Sequence, residues 1–63
     1  MKDLIALRKK NAEQAASARA TLDKAETEKR ALTVEESKAI DTIMTEIEAR
    51  KNEIALEERL QAT

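Results

Sequence analysis

The 63-residue sequence contains no cysteine, histidine, glycine, proline, phenylalanine, tyrosine or tryptophan. Each absence removes a class of structure or chemistry. Without cysteine there is no disulfide and no thiolate metal site. Without histidine the commonest metal ligand and the usual general base are gone. Without glycine or proline there are no phosphate-cradling loops, tight hairpin turns or strand punctuation. Without aromatic rings there is no platform on which bases stack. Long apolar runs are missing too. The longest is Leu4-Ile5-Ala6-Leu7, below the roughly seven residues of a signal-peptide core and far below a membrane span. A cytosolic chain with no membrane partner is expected.

What is present is helical in character. Charged residues make up 40% of the chain, and Ala, Leu, Ile, Glu, Lys and Arg dominate, a composition typical of long helices and coiled coils. Apolar residues total 41%, but 12 of those 26 are alanine. A chain this short holds at most one small domain, and it buries little surface unless metals, disulfides, partners or very good helix packing help. Composition removes disulfides and the usual metal ligands, so partner helices are the expected remedy. Net charge is only −1, yet residues 1–32 carry +3 and residues 33–63 carry −4. The two halves are electrostatic complements.

The periodicity predicts a first helix over about 2–29. Its stripe is Leu4, Leu7, Asn11, Ala15, Ala18, Leu22 and Ala25, spaced by threes and fours as a helix face requires. Lys24, Lys29 and Arg30 suit the negative pole of a helix C-terminus. The turn is expected at about 30–32. Thr33-Val34-Glu35-Glu36 is a capping box, in which the Thr33 hydroxyl and the Glu36 carboxylate each accept from the other's amide. A second helix then runs over about 34–61. Ile40, Ile47 and Ile54 recur every seven residues, with Ile43 and Met44 beside them, as in a coiled-coil seam.

Two helices joined by a short connection usually pack antiparallel. A turn centred near residue 31 sets Leu22 opposite Ile40, Ala18 opposite Met44, Ala15 opposite Ile47 and Asn11 opposite Lys51. The expected fold is therefore an all-α antiparallel helical hairpin that self-associates. Its seam comprises Leu4, Leu22, Ile40, Ile43, Met44, Ile47 and Ile54, and its cap Thr33 and Glu36. The alternative is one continuous helix, roughly 90 Å long at 1.5 Å per residue. The chain opens on Met1 and closes on Gln61-Ala62-Thr63, still helical in composition. It reads as the N-terminal piece of a longer protein.

Chemical candidates are few. Lys2, Arg8, Lys9 and Lys10 could meet nucleic acid, but a basic cluster without aromatics or a recognised fold is better read as a face paired with acidic neighbours. At the open end those neighbours are Glu53, Glu57 and Glu58. Glu46, Glu48, Glu53, Glu57 and Glu58 lack the histidines that helical di-metal sites use, so no metal or other cofactor is expected. Ser17, Thr21 and Ser37 have no base to activate them, and no enzyme is expected. Asn11 either fixes the register of the seam, as buried asparagine does in coiled coils, or lies at a wet edge. Leu56 and Leu60 lie well round the helix from Ile54. With Ile5 they form an apolar excess at the open end, a candidate docking surface for other chains.

Leu22 through Glu36, with L-x-x-A-E at Leu22–Glu26 and R-x-L-T-x-E-E at Arg30–Glu36, resembles the N-terminal region of tailed-phage major capsid proteins of the Hong Kong 97 type. The opening Leu4–Lys10, Asp41 and Glu46-Ile47 also fit that pattern. In that family the segment is the delta, or scaffolding, domain, which lies inside the procapsid, clusters beneath capsomers and guides assembly. The resemblance implies a structural role, other copies and the capsid protein as partners, and a location in the host cytoplasm and the procapsid interior. It also implies removal by a phage maturation protease. No capsid-fold residues and no identifiable cleavage site accompany it. An adaptor hairpin docking an unrelated protein is the alternative from composition alone, ahead of a basic-helix nucleic-acid binder.

Overall fold

The computed structural model describes residues 3–63. Helix α1 spans Leu4–Thr27 and helix α2 spans Val34–Ala62. The two pack against each other as an antiparallel hairpin, with principal extents of 50 × 16 × 12 Å. That length excludes the continuous-helix alternative, which needs roughly 90 Å.

Helix α1 begins with Asp3 as its N-cap. The Asp3 carboxylate accepts from the Ile5 amide at 3.0 Å and the Ala6 amide at 3.3 Å, satisfying two of the unpaired donors at the helix start. The predicted start at Lys2 lies outside the described residues. Helix α1 ends earlier than predicted. The Arg30 amide donates to the Ala25 carbonyl and the Lys29 amide to the Glu26 carbonyl, both at 3.0 Å. Those two bonds define a Schellman ending. Lys29 takes the left-handed conformation this ending requires, with φ of 53°, where glycine is the usual occupant. The connection is therefore 28–33 rather than 30–32.

Helix α2 begins at the predicted capping box. The Glu36 amide donates to Thr33 Oγ1 at 3.1 Å, and the Thr33 amide donates to Glu36 Oε1 at 2.9 Å. Glu35 and Glu36 in the first turn suit the positive pole there.

The core is thin. Ala18 and Ala25 are the buried apolar residues among those described, at 6% and 5% exposure. Around them runs a half-buried row. On α1 it comprises Leu4, Leu7, Asn11, Gln14 and Thr21; on α2 it comprises Glu36, Ile40, Ile43, Ile47, Arg50, Ile54 and Glu57, with Glu53 half-buried beside it. Both rows alternate strictly by three and four, the coiled-coil seam. Two expected seam residues stand beside it instead. Met44 is 54% exposed and Leu22 39%. Their row positions are taken by Ile43 and Thr21. Thr21 fits because its hydroxyl donates to the Ser17 carbonyl at 3.2 Å, so no polar group is left wanting. Leu4, Ile40, Ile43, Ile47 and Ile54 occupy the row as expected.

Candidate interaction site

Three features organise the surface: a hydrogen-bonded junction, a polar layer within the seam, and unpartnered aliphatics at the flanks and open end.

The junction is built by Arg30. Its Nη1 and Nη2 donate to Glu36 Oε1 and Oε2 at 2.7 and 3.0 Å, a bidentate pair. Its Nε donates to Glu28 Oε1 at 2.7 Å, and Nη1 also reaches the Ala31 carbonyl at 3.2 Å. One planar guanidinium thus links the end of α1, the connection and the start of α2, using the fork geometry that matches carboxylates. The Arg30 hydrogen bonds, and then the Thr33 amide, hold the Glu36 carboxyl down at about 2. Glu28 is also held below the usual carboxylate range, chiefly by its bond to Arg30. Arg30 is raised, first by Glu36 and then by Glu28. From the sequence, Arg30 has a place at the helix pole and in the R-x-L-T-x-E-E pattern, and no side-chain partner. The signal for more was its position six residues before the capping glutamate.

The polar layer joins Asn11 and Gln14 of α1 to Arg50 of α2. Arg50 Nη1 donates to Asn11 Oδ1 at 2.8 Å and to Gln14 Oε1 at 2.5 Å. The Asn11 amide nitrogen donates to the Ile47 carbonyl at 3.5 Å, and that of Gln14 to Glu46 Oε1 at 2.6 Å. Asn11 therefore lies in the seam rather than at a wet edge. Its partner is Arg50, not Lys51, and this shifts the expected alignment by one residue. With Asn11 and Arg50 aligned, Ala18 falls opposite Ile43, Gln14 opposite Ile47 and Ala25 opposite Glu36. Ala15 and Leu22 move to the flank. Gln14 and Arg50 were passed over in the sequence because an apolar stripe was sought there. The unbroken three–four alternation through both positions was the available signal.

At the open end Arg8 Nη2 meets Glu58 Oε2 at 2.9 Å, with both side chains about half exposed (53% and 52%). Lys9 and Lys10 are exposed, and Lys2 lies outside the described residues. Ile5, Val34, Met44, Leu56 and Leu60 are each more than half exposed. Leu56 and Leu60 line a shallow cleft with Arg59 and Thr63. Ile5 does not line it. At 100° per residue from the seam, Ile5 turns toward the flank that carries Arg8 and Glu58, and Leu56 and Leu60 toward the other. The open-end apolar excess is thus two patches rather than one.

Among the described residues no group of acidic side chains is arranged to hold a metal, and no helix is long and apolar enough to cross a membrane. Fold and surface together define an all-helical hairpin of coiled-coil type with apolar flanks. No family model, curated protein or solved structure matches the chain.

Proposed function

We propose that the chain is a structural assembly module, the helical scaffolding domain of a tailed-phage major capsid protein of the Hong Kong 97 type, which acts by associating with other copies. The observation that carries the self-associating part is the mismatch between core and surface. Two alanines are buried while Ile5, Val34, Met44, Leu56 and Leu60 stand more than half exposed. The accessible surface is 4929 Å² for 7.1 kDa, against roughly 4,100 Å² for a globular chain of that mass. The excess is close to the ~800 Å² that one partner gives to a standard interface. The phage assignment rests on the Leu22–Glu36 resemblance. A scaffold that must later leave is served by weak contacts multiplied under a capsomer, where high local concentration supplies avidity.

Sedimentation of the chain across concentration tests self-association. The mass should rise with concentration, and Leu56→Ser with Leu60→Ser should move that rise to higher concentration without loss of helicity. A single-chain mass throughout would overturn it. The phage assignment is tested by the reading frame. A capsid fold encoded in frame after Thr63 supports it, and an immediate stop codon rejects it. In the assembling capsid protein, the same two substitutions should impair procapsid formation.

A further inference from the structure

Helix α2 carries a better apolar row than the helix it packs on. Its row is Glu36, Ile40, Ile43, Ile47, Arg50, Ile54 and Glu57: isoleucine fills 40, 47 and 54 of one seam register, and Ile43 stands among Glu36, Arg50 and Glu57 in the other. Isoleucine fills both seam positions only over Ile40–Ile47, a local pattern that favours association of more than two helices. Helix α1 offers Leu4, Leu7, Asn11, Gln14, Ala18, Thr21 and Ala25. By apolar burial alone, α2 gains more from the α2 of another copy than from its own α1.

Arg50 reverses that preference. A guanidinium donates hydrogen bonds and accepts none. On α1 it finds two amide oxygens, Asn11 Oδ1 at 2.8 Å and Gln14 Oε1 at 2.5 Å. Turning both oxygens toward Arg50 leaves both amide nitrogens for the Ile47 carbonyl and Glu46, so each amide is satisfied at both ends. In a parallel pair of α2 helices the facing seam position holds a second Arg50; in an antiparallel pair it holds an aliphatic row. Neither places an acceptor at the position facing Arg50, since the row's own carboxylates, Glu36 and Glu57, lie at other layers, and the first adds like-charge repulsion.

We propose that Asn11, Gln14 and Arg50 form a partner-selecting lock that commits α2 to an α1 helix, which the short connection supplies from the same chain, and bars it from pairing with the α2 of another copy. Any association between copies then uses the outer faces and leaves the hairpin closed. The lock operates whether or not the chain serves in capsid assembly.

The chain has no cysteine, so engineered thiols report on pairing without background. Ala15→Cys with Lys51→Cys places one thiol on each helix, one heptad inward from the Arg8–Glu58 pair on the same flank. Under mild oxidation at low protein concentration, the lock gives predominantly the intrachain disulfide. Adding Arg50→Leu should make that product minor, yield interchain disulfides, and raise the sedimentation mass above that of the chain with Arg50 at the same concentration. Asn11→Ala with Gln14→Ala, which removes the acceptors and keeps Arg50, should also deplete the intrachain product. An intrachain yield and mass unchanged by Arg50→Leu would overturn the proposal. So would loss of helicity in that variant, because the lock predicts a more apolar and more helical seam. An intrachain yield unchanged by the two alanine substitutions would overturn it as well.

Discussion

The two ends of the hairpin are made from the same residue types and are held in different ways. At the junction end, Arg30, Glu28, Thr33 and Glu36 share five hydrogen bonds among side chains and cap amides. Ala25 is buried there. At the open end, among the described residues, Arg8 and Glu58 form a half-exposed ion pair, and Ile5, Leu56 and Leu60 face solvent. Sequence separation explains much of the contrast. Junction partners lie two to six residues apart and need little chain ordering to meet. Arg8 and Glu58 are 50 residues apart, so their contact exists only once the seam has closed. The polar layer of Asn11, Gln14 and Arg50 stands between the two regimes.

The comparison breaks most sharply with a charge placed on either side of that layer. Ile43→Asp, in the seam beside Ala18, should cost about 3 kcal/mol or more and abolish the cooperative helical melt. Ile54→Asp, on the open side, should fray the helix ends and leave a melt. Circular dichroism during heating distinguishes the two, and equal losses would erase the distinction between the ends. Thr33→Ala removes the cap hydroxyl and should lower stability by about 1 kcal/mol. Its effect should appear as faster amide exchange at Glu36 and the residues just after it.

Acid sharpens the contrast because Glu36 is held at about 2. Between its ordinary value near 4.5 and that lowered value, the unfolded chain binds the proton more readily than the folded one. The Glu36 contribution is therefore complete above about pH 4.5 and is lost as pH falls toward 2. Glu36→Gln should flatten this part of the stability profile, and an unchanged slope would deny the junction its role. Lys29→Gly should add up to about 1 kcal/mol by relieving the left-handed backbone at that position, read as a higher melting temperature. The smallest effect belongs to Arg8→Ala. An exposed ion pair contributes little, so the melting midpoint should not move measurably, and whatever change occurs should vanish in high salt.

Much of this molecule was legible before any tertiary contact was considered. The capping box at Thr33 and Glu36, the isoleucines at 40, 43, 47 and 54, and the complementary charge of the two halves depend on spacing along one helix or on composition. Local hydrogen bonding and helical period enforce them wherever the helix packs. The helix count, the antiparallel arrangement and the seam isoleucines followed from those features. Misplaced positions share a different cause. On α1, Ala15 and Leu22 are apolar and one residue from the row, whereas Gln14 and Thr21 occupy it. A search for the greasiest stripe picks the neighbour when the true occupant is polar and satisfied by a bond its own sequence does not reveal. Thr21 is satisfied within its own helix, and Gln14 across the seam.

By itself, then, the sequence determined two amphipathic helices, the start of the second, and the absence of disulfides and of the histidine and cysteine ligands on which most metal sites depend. Those properties come from residue inventory and local geometry. Only tertiary structure decided the register, the end of the first helix at a left-handed lysine, and the division of the aliphatics between seam and surface. Each depends on which groups meet across the hairpin. Arg50 reads as an exposed cation until two amide oxygens from the other helix face it.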